Sequence, residues 1–290
     1  MTGMGGSRFA AALFGLAALA LLPACAEDES VAQRDRRLLA ADVAALAPQR
    51  PGSVDLYVVG FAGDSTEDVF RNEVAYLETL ASNRFDARGV VTLVNHSDSL
   101  TSAPRPLATL QNLRIALAGV GATMDRDEDV LLLYLTMHGT EDHELAVAFP
   151  PLLEEWITPP QLRSALDDAG IGNRVVVISA CFSGGFIPEL RGSRALVVTA
   201  ARADRASFGC GSESNATWFG RAWLVDGLNR GTSFIGAYDF ATGEISSWER
   251  EDEEIPSLPQ IDVGEDIRGT LQDWQAQLEP GAAVPYPYDP

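Results

Sequence analysis

Five runs of branched apolar residues recur along the sequence and alternate with amphipathic stretches. The runs predict strands at 54–60, 90–95, 130–136, 175–180 and 195–200. Apolar residues at three- and four-residue spacings predict helices at 66–82, 107–121, 160–169 and 218–229, and we expect a closing helix near 264–278. Strands that are apolar at almost every position are typical of a parallel sheet covered on both faces. We therefore expect an α/β fold, a three-layer α/β/α sandwich with a mostly parallel sheet.

The composition allows a large core and opposes polyanionic partners. The 290-residue chain is 46% hydrophobic and carries 41 acidic against 21 basic residues, a net charge of −20. Such a surface repels nucleic acid and anionic membrane surfaces. We therefore expect no nucleic-acid partner.

Lysine is absent, and histidine is almost absent. Every basic residue is an arginine, which excludes Schiff-base chemistry on lysine and the phosphate-binding loop that ends in Gly-Lys-Ser/Thr. Only His96, His138 and His143 could act as a general base near neutral pH. The search for a base is therefore short.

The first 25 residues resemble a bacterial lipoprotein signal. Arg8 precedes an apolar run at 9–22, and small residues stand just before Cys25. The run is shorter than the roughly 20 apolar residues that span a bilayer. We expect a signal peptide with a lipobox at 1–25 and lipidation of Cys25, which would make this an exported outer-membrane lipoprotein that faces the periplasm. The alternative is an ordinary cleaved signal with an incidental cysteine.

The remaining chain divides into three parts. Residues 26–52 are polar and predict a tether with a short helix, and residues 53–278 hold the alternating strands and helices. The acidic stretch at 249–254 predicts a solvated helix end. The Pro- and Tyr-rich residues 279–290 predict a loose C-terminal tail.

Two of the predicted strands end in residues that can carry chemistry. The strand at 130–136 leads into His138 and Gly139, and the strand at 175–180 leads into Cys181, Ser183 and Gly184. Parallel strands that are joined by one crossover helix are often neighbours, and function gathers beyond their carboxyl ends. We therefore expect His138 and Cys181 to project from the same edge of the sheet.

A thiol beside an imidazole is a recognised nucleophile. A cysteine of pKa about 8.5 is mostly protonated at neutral pH, and an imidazole accepts its proton or stabilises the thiolate. The glycines at 139 and 184 would let a substrate approach the backbone, and the N–H groups of Gly139 and Cys181 would donate to an oxyanion. Loss of one such donor in a characterised protease costs roughly 3 kcal/mol.

Other readings of these residues stay open or are excluded by spacing. Cys181 and Cys210 could instead form a disulfide, and the chain would then be a non-catalytic binding scaffold. His138 and His143 flank Glu141 and Asp142, but the five-residue spacing matches no common zinc motif, so we expect no metal and no cofactor.

A serine hydrolase is disfavoured by the residues around Ser183. Position 181 is Cys where the elbow motif Gly-x-Ser-x-Gly has its first glycine. We interpret Ser183 as the start of the next helix.

Three segments resemble the bacterial branch of the legumain family of cysteine peptidases, the C13 family with its caspase-like fold. They are LLLYLTMHGTEDHELAVAFPPL, VVVISACFSGGF and VVTAARADRASFGCGSESNATWFGRAW. The similarity covers residues 54–229. It implies that Cys181 is the nucleophile, His138 its base and Gly139 an oxyanion donor. The reaction implied is cleavage of peptide bonds in a peptide or protein substrate, with transpeptidation by the same acyl-enzyme as an alternative.

The resemblance also implies a specificity pocket, and the sequence departs from the family there. Arg71 matches the arginine that holds an asparagine or aspartate before the cut, and a guanidinium suits either side chain. However, Ser179 and Arg221 stand where the animal and plant enzymes have acidic residues, and Val69 replaces the asparagine that orients the histidine. We expect Arg71, Ser179 and Arg221 to bind the substrate, and a pocket that is bordered by the two arginines would favour an acidic side chain.

Overall fold

The computed structural model describes residues 1–3, 29–211 and 214–289. Cys25 and nearly all of the predicted signal peptide lie outside the described residues, so the structure does not address them. The strands are β1 (Leu56–Ala62), β2 (Gly89–Val94), β3 (Val130–Thr136), β4 (Leu145–Phe149), β5 (Leu153–Ile157), β6 (Asn173–Ser179), β7 (Ala195–Thr199) and β8 (Gln260–Val263). The α-helices are α1 (Val31–Ala45), α2 (Asp68–Arg84), α3 (Leu110–Thr123), α4 (Pro159–Asp168), α5 (Ile187–Leu190), α6 (Leu228–Arg230), α7 (Phe234–Glu251) and α8 (Ile267–Gln277). Short 3-10 turns lie at Ser97–Leu100 and Ser183–Phe186, and a π-helix lies at Gly220–Gly227.

A six-stranded sheet forms the centre of the described chain, in the order β2-β1-β3-β6-β7-β8. Every pairing is parallel except that of β7 with the edge strand β8. All seven residues of β1, β3 and β6 are buried, because helices cover both faces. One face packs against α1, α3, α4 and α5, and the other packs against α2, the π-helix, α7 and α8. The predicted three-layer α/β/α sandwich with a mostly parallel sheet is confirmed.

Strands β4, β5 and β8 and helix α7 lie beyond the predicted elements. Strands β4 and β5 form an antiparallel hairpin apart from the main sheet, and β8 adds an antiparallel edge strand. Two of the four residues of β8, in the sequence QIDV, are polar. This strand lies at the edge of the sheet and has a neighbouring strand on one side only. Helix α7 has apolar residues at helical spacing, but two are alanines and two glycines interrupt the pattern, which hides its amphipathic face.

The segment expected to be a tether belongs in part to the domain. Helix α1 packs against α3, and its Leu39 is fully buried in the core cluster of that face. The buried Asp35 carboxylate accepts hydrogen bonds from the Leu107 N–H at 3.1 Å and from the Asn112 amide at 2.9 Å. A carboxylate that satisfies two buried donors holds a helix in place. Residues 31–45 are therefore a packed helix and not a flexible linker.

The C-terminal tail is also packed, contrary to the expectation of a loose segment. Val284 and Tyr286 are buried, and the Tyr286 ring meets the Tyr76 ring edge-on at 5.1 Å. The Tyr76 hydroxyl donates to the Val284 carbonyl at 2.8 Å, and the Arg84 guanidinium donates to the Gly281 carbonyl at 2.7 Å. Tyr286 in fact anchors the tail against α2.

No helix in the described ranges is both long enough and apolar enough to cross a membrane.

Candidate active site

His138 and Cys181 follow neighbouring strands at the same edge of the sheet. The register of β3 and β6 pairs Thr136 with Ser179, and the Met137 N–H donates to the Ser179 carbonyl at 3.3 Å. His138 follows Thr136 by two residues after β3, and Cys181 follows Ser179 by two residues after β6. Because neighbouring strands run about 4.8 Å apart, this register brings the two residues side by side.

The backbone around His138 is fixed by the hairpin that follows it. The His138 carbonyl accepts a hydrogen bond from the Ala146 N–H at 2.9 Å, and Gly139 forms an isolated bridge with Leu145. The imidazole meets the ring of Phe70 at 5.2 Å with an interplanar angle of 86°. Val69, which the resemblance aligns with the orienting asparagine, is fully buried in an apolar cluster. Phe70, the next residue on α2, therefore contacts the imidazole.

The Cys181 thiol lies against a backbone amide. Its sulfur accepts a hydrogen bond from the Ser207 N–H at 3.2 Å and lies 3.6 Å from the Ser207 hydroxyl. The thiol also lies 3.5 Å from the Ser207 carbonyl, to which it can donate. The next residue, Phe182, has a φ of 56°, in the left-handed region that non-glycine residues rarely adopt. The chain therefore turns sharply directly after the thiol.

The two glycines that were expected to face a substrate have internal roles. A Cβ on Gly139 would lie 2.2 Å from the Cys181 carbonyl oxygen, so only glycine allows the two strand ends to approach. A Cβ on Gly184 would lie 2.6 Å from the Ala203 nitrogen. The expectation that Gly184 opens the backbone to a substrate is wrong, because this residue packs against the loop after β7.

Ser183 is the first residue of the 3-10 turn at Ser183–Phe186, as expected, although its hydroxyl does not cap that turn. Its hydroxyl donates to the Ala180 carbonyl at 2.7 Å and accepts from the Ala201 N–H at 3.3 Å, and the residue is fully buried. The side chain therefore joins the ends of β6 and β7 beneath the turn.

The backbone amides of Gly139 and Cys181 are free to bind an oxyanion. The hydrogen bonds from Ala146 to His138 and from Thr140 to Glu144 flank Gly139 and leave its N–H directed away from the hairpin. Within the described part of the chain, neither the Gly139 N–H nor the Cys181 N–H donates a hydrogen bond. Two uncommitted donors at one strand edge can stabilise a negative oxygen.

The two arginines expected in the specificity pocket line separate cavities. Arg71 pairs with Asp68 at 3.1 Å and with Asp98 at 2.7 Å, beside a cavity of about 150 Å³. Arg221 pairs with Asp226 at 3.1 Å and with Asp289, beside a cavity of about 310 Å³. The structure therefore does not bring the two guanidinium groups into one pocket.

Ser179 and His143 also occupy positions that the sequence could not specify. Ser179 is buried, and its hydroxyl lies 3.0 Å from the Thr217 hydroxyl. His143 has a φ of 61°, and its ring packs over Gly185. No group of three or more His, Cys, Asp or Glu side chains within the described ranges could hold a metal ion.

The two cysteines of the described domain are free thiols. Cys210 packs against the apolar cluster of Val69 and Phe70, and burial raises the pKa of its thiol. Cys181 is only half-buried and accepts a hydrogen bond. The two sulfurs therefore differ in the environment that controls nucleophilicity.

Comparison with known proteins identifies the family. The model of the Peptidase C13 family matches residues 110–269, which is more than half of the chain and includes both strand ends. Among solved structures, the crystal structure of caspase-1 from Spodoptera frugiperda is similar, at 12% identity and a TM-score of 0.49, over 75% of this chain and 88% of that chain. Among curated proteins, none matches the sequence significantly. The resemblance noted from the sequence is confirmed, and the chain belongs to the C13 family of cysteine peptidases.

Proposed function

We propose that the chain cleaves peptide bonds with Cys181 as the nucleophile and His138 as its general base. The observation that carries this proposal is the register of β3 and β6, which pairs Thr136 with Ser179, two residues before His138 and Cys181. The close approach of Gly139 to the Cys181 carbonyl agrees with it. The hydrogen bond from the Ser207 N–H to the Cys181 sulfur supports it further, because it holds the sulfur in place beyond the end of β6.

The proposed reaction has two steps. The Cys181 sulfur attacks the carbonyl carbon of the scissile bond, and the thiol proton passes through His138 to the departing amine. The uncommitted N–H groups of Gly139 and Cys181 donate to the oxyanion of each tetrahedral intermediate. Water that gives its proton to His138 then hydrolyses the thioester. An incoming peptide amine in place of water would give transpeptidation from the same acyl-enzyme.

Thiol labelling separates this enzyme from a binding scaffold that is locked by a Cys181–Cys210 disulfide. We expect iodoacetamide to alkylate Cys181 at least about tenfold faster than Cys210, whose raised pKa lowers its thiolate fraction at neutral pH. Peptide mapping by mass spectrometry measures both rates on one sample. Two thiols that react only after reduction would instead support the scaffold.

We propose a preference for Asn or Asp before the cut, with Arg221 as the main determinant and Arg71 as the second. The Arg221 side chain lines a cavity together with Ala216 and Trp218, which flank Thr217 in the chain, and the Thr217 hydroxyl lies 3.0 Å from that of Ser179, two residues before the nucleophile. The Arg71 side chain points instead toward Asp98, after β2.

Substitution of each arginine tests this order. We expect Arg221→Ala to lower kcat/KM by about tenfold for a peptide with Asp before the cut, because a charge-assisted hydrogen bond is lost. A matched peptide with Ala at that position should change little. A larger loss in Arg71→Ala would reverse the order that we propose.

We further propose that the chain is exported and anchored to a membrane through lipid on Cys25. The apolar run at 9–22 and the small residues before Cys25 support this assignment. Incorporation of labelled palmitate that disappears in Cys25→Ala tests it.

A further inference from the structure

A fully buried carboxyl group lies beside Thr136, the last residue of β3, and the proposed reaction does not use it. Glu73 on α2 is 0% exposed. Its Oε2 accepts from the Tyr134 hydroxyl at 2.8 Å and from the Thr136 hydroxyl at 2.7 Å, and its Oε1 accepts from the Thr217 N–H at 2.7 Å. No arginine pairs with it among the ion pairs of the described residues. A carboxyl that is buried without a counter-ion is costly, and such a group usually has a specific task.

The first connection of Glu73 leads to His138 along β3. Thr136 is the last residue of that strand and stands two residues before the imidazole. A second route runs along α2, because Phe70 and Glu73 are three residues apart and share one face of the helix. Phe70 is the residue whose ring meets the imidazole. The position of Glu73 therefore determines the position of Thr136 at the end of β3. It also determines the position of Phe70, which contacts the His138 ring.

The other connection leads to Cys181 through Thr217. The Thr217 hydroxyl lies 3.0 Å from the Ser179 hydroxyl, two residues before the nucleophile, and accepts from the Gly220 N–H at 2.9 Å. The Trp218 N–H donates to the Phe208 carbonyl at 3.0 Å, next to Ser207, whose N–H binds the Cys181 sulfur. One carboxyl thus joins the two strand ends and the segment at 214–220.

The Glu73 carboxyl is closely packed against the π-helix. A Cβ on Gly220 would lie 2.2 Å from Glu73 Oε1, so the first turn of the π-helix rests directly on the carboxyl. Burial raises the pKa of Glu73, while the hydrogen bonds from Thr136, Thr217 and Tyr134 oppose that rise. Each of the two oxygens has at least one donor, so the hydrogen bonds fix the orientation of the carboxyl.

We propose that Glu73 is a positioning residue for the peptidase reaction, which aligns His138 with Cys181 by hydrogen-bonding to β3 and to the segment at 214–220. This inference rests on the proposed roles of His138 and Cys181. The carboxyl acts through its hydrogen bonds, since it is fully buried and does not face a substrate.

The test compares Glu73→Ala with Glu73→Gln, on coumarin-amide peptides that carry Asn or Asp before the bond. We expect Glu73→Ala to lower kcat by about 100-fold with little change in KM, because a misalignment near 1 Å costs about that much. Glutamine can accept from the Thr217 N–H and donate to both hydroxyls. We therefore expect Glu73→Gln to keep kcat within about threefold of the parent.

Asp55→Ala serves as the matched control. Asp55 is also a fully buried carboxyl, but it lies before β1, at the opposite edge of the sheet, and accepts from Arg50. We expect its loss to lower the melting temperature and to leave kcat within about threefold of the parent. Asp55 lies outside the hydrogen bonds that join Glu73 to Thr136 and Thr217. Should Glu73→Ala fail to fold, Thr136→Val removes one hydroxyl without changing shape. We expect it to lower kcat by about fivefold, the worth of one hydrogen bond.

Two outcomes would overturn the proposal. If folded Glu73→Ala, or Thr136→Val in its place, retains kcat within twofold of the parent, the carboxyl has only a structural role. If Glu73→Gln loses as much as Glu73→Ala, the negative charge matters and the hydrogen-bonded bridge does not. Cys181→Ala defines the background rate, so turnover that persists in that variant would refute the nucleophile separately.

Discussion

Cys181→Ala is expected to lower kcat/KM for peptide substrates by about 10⁴-fold or more, because removal of a nucleophile leaves only binding and oxyanion stabilisation. Steady-state cleavage of a mixed peptide library by the parent and the variant measures the loss. The same comparison identifies the residue preferred before the cut, since every cleavage that depends on Cys181 disappears in the variant.

The fold should survive this substitution. Cys181 is half-buried and its sulfur accepts one backbone hydrogen bond, so its loss costs about 1 kcal/mol. For a domain of this size, that cost lowers the melting temperature by about 2–4 °C. Calorimetry or circular dichroism checks the fold of the variant. A folded Cys181→Ala that still cleaves peptides would contradict the nucleophile.

His138→Ala is expected to lower kcat by about 10³-fold, the typical contribution of a positioned general base. The imidazole packs edge-on against Phe70, and the backbone is held separately by the hydrogen bond from the Ala146 N–H. The strand end should therefore keep its position. The rate of Cys181 alkylation should fall together with kcat, because one imidazole serves both.

His96→Asn is the matched control for the histidine. His96 follows β2, on the far side of β1 from His138, and its Nδ1 accepts from the Asp98 N–H at 3.1 Å. We expect kcat within about threefold of the parent, as for most substitutions away from the reacting groups. Equal losses in the two variants would mean that a general change in the protein, and not the loss of a base, lowers activity.

The sheet could be predicted from the sequence because its strands are buried on both faces. The predicted run at 130–136 coincides with β3, and the run at 195–200 exceeds β7 by one residue. Where a strand is covered on one side only, as in β8, the pattern weakens and the strand was missed. The helix α1 was missed as part of the domain because its buried positions, Asp35 and Leu39, stand in an otherwise charged segment.

The positions of His138 and Cys181 could be predicted because both follow strands whose register is set by the core. The supporting residues could not be. Glu73 lies 61 residues before Tyr134 and 144 before Thr217 in the chain, and only the packing of α2 brings them together. The Arg221–Asp289 pair likewise depends on a tail that was expected to be loose.

The structure shows the surroundings of Ser179 and Val69, two of the positions at which the resemblance to the animal and plant enzymes breaks down. Ser179 stands where those enzymes have an acidic residue, and its hydroxyl connects through Thr217 to the buried Glu73 carboxyl. The resemblance places Val69 where they have the orienting asparagine, and in this structure the neighbouring Phe70 contacts the imidazole. Helix α2 therefore contacts the end of β3 through Phe70 and Glu73.

The most direct measurement is the identity of the residue that carries the acyl group during turnover. A peptide ester is mixed with the enzyme, quenched in acid within milliseconds and mapped by mass spectrometry. We predict the acyl mass on the peptide that contains Cys181, removable by neutral hydroxylamine as a thioester is, and its absence in Cys181→Ala. Turnover with an unmodified Cys181, or with the acyl group on another residue, would contradict the mechanism.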